Sequence, residues 1–125
     1  MIDIRNEIKE TLEKVKPSFD IKVKMAFPDT VSYNSRKRLI TYFELSNTDT
    51  EIPTVQDIAF QVDLWVLSTA ELLEATLLID KEMKKKGLKR QFVSPDSMMN
   101  DPSGYKRKTF RYGSRIDLMF NRFID

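Results

Sequence analysis

Cysteine and histidine are both absent from this chain of 125 residues. Without cysteine there is no disulfide and no thiolate metal site. Without histidine there is no Ser-His-Asp or Cys-His nucleophile and no imidazole-bound zinc. Carboxylates alone support some enzymes, so the double absence lowers the expectation of catalysis without ending it. Glycine is scarce. Gly87, Gly104 and Gly113 are the only three, and they do not form a phosphate-binding loop. No apolar run approaches the roughly 18 residues of a membrane-spanning helix. Met1-Ile2-Asp3-Ile4 lacks the basic and apolar regions of a signal peptide, so a cytoplasmic protein is expected.

What is present fits one domain, residues 1–125. Hydrophobic residues make up 41% and charged residues 32%, an ordinary globular balance. The net charge is +2, unevenly spread. Up to Val66 there are nine basic and eleven acidic residues; after it there are twelve and eight. The basic excess reads first as a solvated face, and second as a surface for an acidic partner.

Ile4, Ile8, Leu12 and Val15 recur at helical spacing, with Asp3 as N-cap and Pro17 as terminator. They predict a helix over about residues 3–16. Ile21, Val23, Met25 and Phe27 alternate with polar neighbours, as in a half-buried strand. Residues 28–38 read as a loop ending in Arg36-Lys37-Arg38. From Leu39 to Leu45 both faces are apolar, with Leu39, Phe43 and Leu45 expected inward and Ile40 and Tyr42 outward. Residues 46–55 read as a loop. Residues 56–66 then alternate strictly, with Ile58, Phe60, Val62, Leu64 and Val66 on one face and Trp65 on the other. A second helix over 68–86 has Ser68 with Glu71 as a capping box. Its apolar stripe is Leu72, Ala75, Ile79 and Met83, widened by Leu73, Thr76 and Leu78, and Gly87 ends it. Lys84-Lys85-Lys86 complements the negative end of the helix dipole, which explains the triplet without a ligand. A short strand over 88–94, a loop to Gly104 and a final hairpin turning at Gly113-Ser114 complete the chain. The expected class is α+β, with two helices on one face of a largely antiparallel sheet.

Acidic residues are scattered, without calcium-loop spacing, and no cofactor or metal is expected. Lys106-Arg107-Lys108 with Arg111 and Tyr112 combines basic and aromatic residues, as nucleic-acid-binding sheets do. Tyr105 and Phe110 fall on opposite faces, however, and no aromatic-glycine signature of such domains occurs. Trp65 on the more polar face reads either as a cover for the sheet or as an interface anchor.

Four segments stand out in order: Leu39-Ile40-Thr41-Tyr42-Phe43, Val62-Asp63-Leu64-Trp65, Asp80 to Met83 followed by Gly87-Leu88, and Gly104-Tyr105 with Lys108 and Arg111-Tyr112. Taken together they resemble the tail-completion (tail-terminator, head–tail joining) proteins of long-tailed bacteriophages. The resemblance covers most of residues 3–120. It implies a structural subunit without catalytic residues, a homo-hexameric ring at the head-proximal end of the tail when assembled and a monomer when isolated. Its partners would be copies of itself, the tail-tube protein and the head connector proteins, with no membrane, and it would reside in the virion after assembly in the host cytoplasm. Arg36, Lys37, Arg38, Tyr42, Trp65, Lys106, Arg107 and Lys108 are the expected interface residues. The alternative is a small nucleic-acid-binding or accessory phage protein using the basic C-terminal strands.

Overall fold

A computed structural model describes residues 4–52, 54–94, 101–117 and the backbone of 122–124. The predicted Asp3 cap and most of the predicted loop before Asp101 lie outside them. The elements are α1 (Ile4–Glu13), β1 (Lys22–Met25), β2 (Leu39–Asp49), β3 (Val55–Val66), α2 (Thr69–Lys86), β4 (Lys89–Val93), β5 (Lys106–Asp117) and β6 (Arg122–Ile124). Two short 3-10 turns, Pro28–Thr30 and Tyr33–Lys37, lie between β1 and β2. The strands form one sheet in the order β1-β2-β3-β5-β4, with β6 also paired to β5. Only the β1–β2 pair is parallel. This is an α+β fold, with both helices packed on one face of a mostly antiparallel sheet.

The alternation in β3 decides the core. Ile58, Phe60, Val62, Leu64 and Val66 all point at the helices and are buried. Ile8 and Leu12 of α1 meet them, together with Leu72, Ala75, Ile79 and Met83 of α2 and Phe110, Tyr112 and Ile116 of β5. The α2 boundaries follow from its caps. Ser68 accepts the Glu71 backbone N–H at 3.2 Å, and Gly87 takes the left-handed conformation at φ 100°. The Glu71 carboxylate reaches past Ser68 to the Leu67 N–H at 3.3 Å and binds Arg38 as well, so the box is closed by one residue's displacement.

Several expectations need correction. Helix α1 stops at Glu13, three residues early, because i→i+3 bonds from Lys14 and Val15 tighten its last turn. Leu73 is 62% exposed and does not widen the α2 stripe. Met25 and Phe27 are exposed, because β1 is a four-residue edge strand and the chain leaves it at Phe27. The loop expected at 46–55 is mostly strand, and β2 runs on to Asp49 in a long hairpin with β3. The faces of β2 are the reverse of those expected. Tyr42 pairs with Val62 and lies in the core, whereas Phe43 pairs with Gln61 on the other face. Both faces of this segment are apolar, so only its partner's register distinguishes them.

The expected turn at Gly113-Ser114 is the middle of β5. The true connection to β6 falls in residues 118–121, outside the described residues. Gly113 has its own reason to be glycine. Gln91 is the extra residue of a bulge in β4, and its side chain folds over Gly113. A Cβ on Gly113 would lie 2.3 Å from Gln91 Nε2.

Candidate functional site

On the sheet face away from the helices, one end is roofed by residues 26–37. Val31, Leu39 and Trp65 pack there as a second, smaller cluster. Around them lies the densest group of charges among the described residues. The odd-numbered rows of β3 and β5 bring Asp63, Trp65, Arg107 and Thr109 side by side, since Asp63 pairs with Thr109 and Trp65 with Arg107. Arg36 arrives from the second 3-10 turn and Asp101 from the turn before β5.

The hydrogen bonds are nearly saturated. Arg36 Nη1 donates to both Asp101 oxygens at 2.9 and 3.1 Å, and its Nη2 to the carbonyls of Pro28 and Val31 at 2.9 and 3.0 Å. Trp65 Nε1 donates to Asp101 at 3.0 Å. The Ser103 N–H and hydroxyl donate to the same carboxylate. The Asp63 carboxylate accepts from Arg107 Nη2 at 2.9 Å, from Thr109 Oγ1 at 2.6 Å and from Gln61 Nε2 at 3.0 Å. The two guanidinium groups lie 5.3 and 5.2 Å from the Trp65 ring centre, within cation–π range. Two atoms in this region, Arg36 Nε and Thr41 Oγ1, are buried without a protein partner.

Burial alone would raise the Asp101 pKa. Hydrogen bonds from Ser103, Trp65 and Arg36 outweigh it and hold the carboxyl below its ordinary value. The cluster joins two acidic and two basic side chains, whose formal charges cancel. Both carboxylate side chains are fully buried. Chemically this is a clamp that fixes the 26–37 segment and the 101–104 turn to the sheet. Among the described residues, neither carboxylate side chain is open to solvent. Among the described residues, no three acidic side chains converge as metal ligands.

Of the eight expected interface residues, the clamp gathers three: Arg36, Trp65 and Arg107. It uses them internally. Trp65 is 0% exposed and Arg36 5%, which corrects the expectation that both face a neighbour. Tyr42 is also buried, on the opposite face from Trp65, so the two cannot share one outer patch. Lys37 is exposed, whereas Arg38 binds Glu71 at 2.8 Å. Lys106 and Lys108 point to the helix side of β5, away from Arg107. The three neighbours in Lys106-Arg107-Lys108 therefore do not form one basic patch. Asp63 and Asp101 are the functional partners that sequence reasoning passed over. Their signal was faint: a carboxylate in mid-strand beside Trp65, and a turn aspartate.

Neither a protein-family model nor a curated protein matches this sequence. Nothing from relatives therefore adds to the geometry.

The remaining outer-face cations are mostly engaged as well. Arg115 pairs with Asp57 at 3.0 Å, and Arg111 lies over the Phe92 ring at 5.4 Å. On the helix face, Tyr112 donates to Asp80, which also binds Arg90. Burial first, and then the Asp80 carboxylate, push the Tyr112 phenol far above its ordinary value. It stays a neutral donor and cannot act as a base near neutral pH. Among the described residues no helix is long and apolar enough to cross a membrane.

Proposed function

We propose that this chain is a structural ring subunit, one that caps a phage tail tube and joins it to the head connector. The carrying observation is the placement of the resembling segments. Leu39 to Phe43 opens β2, Val62 to Trp65 closes β3, Asp80 to Met83 lies in α2, and Gly87-Leu88 is its C-terminal step. Arg111-Tyr112 falls within β5. Three of the four segments thus lie in the kinds of element that the resemblance gives them, two strands and a helix, which supports the reading. The clamp supports the same reading from chemistry, because the best-organised polar group in the fold is sealed by its own counter-ions.

The nucleic-acid alternative has weaker support, since Asp63 and Asp57 already neutralise Arg107 and Arg115. The test is negative-stain imaging of the purified protein mixed with tail tubes assembled from the tube protein. Six-fold rings at one end of each tube, and tails of uncontrolled length when the gene is deleted, are the expected results. Salt-sensitive binding of DNA by the protein, without any engagement of tubes, would overturn the reading in favour of the alternative.

A further inference from the structure

The sheet has two open edges, and they match. Strand β1 covers β2 only from Leu39 to Tyr42. From Phe43 to Asp49 no strand lies beside β2 among the described residues, and its last five residues are exposed. The opposite edge is formed by β4 and β6, end to end along β5. The pairings place both edges on the same rows. Phe43, Gln61, Arg111 and Phe92 form one row. Glu44, Phe60, Tyr112 and Arg90 form the next, and Ser46, Ala59, Gly113 and Lys89 the one after. Thr48 and Asp49 lie level with Ile124 and Phe123 of β6. The stretch that β1 leaves open is thus the stretch that β4 and β6 occupy on the far side.

We infer that β2 of one copy pairs with the β4–β6 edge of the next, so that copies join head to tail through a continuous sheet. Strand direction permits it. β4 and β6 both run antiparallel to β2, so a copy related by rotation about an axis along the strands brings them together antiparallel, with the helices on the same side. The chemistry is complementary row by row. Phe43, which packs on Phe27, meets Phe92, 46% exposed; Glu44 and Arg90 share a row, each already paired within its own copy, to Arg5 and Asp80. Residues 43–52 carry three acidic and no basic side chains, whereas Lys89 and Arg90 begin the other edge. Neither edge has a proline, and a bulge in each, with Lys89 and Arg90 on β4, would limit pairing to a partner of matching register and opposite charge. A contact between two different edges is heterologous, so it closes into a ring or grows without limit. Closure would pair both of these edges in every copy and leave only the four-residue β1 at the margin.

This deepens the ring reading and rests on it for closure, but not for the contact itself. The natural absence of cysteine makes a clean test possible. Ser46→Cys and Lys89→Cys are exposed positions on one row, and thermal melts confirm that each variant folds. With a short bismaleimide at millimolar protein, an equal mixture of the two single variants should give crossed dimers only. The double variant should give a ladder ending in a closed ring, and added salt should lower the yield because the edges are oppositely charged. The same reaction is run on the protein bound to tail tubes. Rings on tubes without crosslinks would overturn the edge contact and leave the tail reading intact. Crosslinked ladders that never engage tubes would support the contact and count against the tail reading. Self-crosslinking of the Ser46→Cys variant alone, or no crosslink in either setting, would overturn the inference.

Discussion

Asp101 is the residue on which the outer face depends. It receives Arg36, Trp65 and Ser103 in a space that excludes water. Removing one member of a buried charge pair leaves the other uncompensated. Asp101→Asn should therefore cost about 3–5 kcal/mol in a denaturant melt. Arg115→Ala breaks a half-exposed pair with Asp57 and should cost about 1 kcal/mol or less. Equal losses from the two variants would show that the clamp is not shielded as described. Trp65→Phe keeps most of the bulk and loses only the donor to Asp101. A penalty of about 1–3 kcal/mol is expected for the acceptor left short of a partner. Trp65→Ala combined with Tyr42→Ala removes two buried side chains on opposite faces, so it probes folding and not assembly.

At the scale of elements, two glycines test opposite things. Gly87 ends α2 at φ 100°, where an L side chain is strained. Gly87→Ala should cost about 1–2 kcal/mol whatever the space around it. Gly113 sits in ordinary strand conformation, and its constraint is the Gln91 side chain above it. Gly113→Ala would push aside the far end of the exposed Gln91 side chain, so its net effect should stay within about 0.5 kcal/mol. Gly113→Ala in a Gln91→Ala background should be neutral or stabilising, by about 0.5–1 kcal/mol, because alanine loses less backbone freedom than glycine. A double-mutant melt reads the coupling directly, and additive effects would contradict the packing of the bulge. The helix predicted over 68–86 was legible because its caps are local: a hydroxyl, a carboxylate three residues on, and a glycine. The predicted hairpin at Gly113-Ser114 failed because a glycine inside a bulged pair and a glycine in a turn look alike in one strand of sequence.

For the whole molecule, pH dependence separates the fold's electrostatics from its packing. Glu71 is held below its ordinary value of 4.5 chiefly by Arg38, and Asp101 below 3.8 against its own burial. A lowered folded-state value means that the unfolded chain binds protons first as pH falls. The stabilisation is complete above the ordinary values and fades below them. No histidine is present to titrate between pH 5 and 8. Unfolding free energy should therefore be nearly flat from pH 7 to about 5 and fall below about pH 4.5. Asp101→Asn should flatten part of the acid limb. A steep change between pH 6 and 7 would contradict a stability set by these carboxylates.

Periodicity and caps by themselves determined the element types, the long central strand, the second helix and the inward face of Ile58 to Val66. Those signals are local, repeating every two or 3.6 residues, and burial of one face follows from them. Tertiary structure alone decided which face of β2 is the core, that residues 46–49 extend a strand, and where Trp65 goes. Each depends on a partner distant in sequence: Val62 for Tyr42, Ile58 for Asn47, and Asp101 and Arg36 for Trp65. Exposure of Trp65 was a reasonable expectation from its polar neighbours Asp63 and Gln61. Those neighbours are polar because they form a buried ionic clamp, and charge in a strand reads the same in sequence whether water or a counter-ion satisfies it.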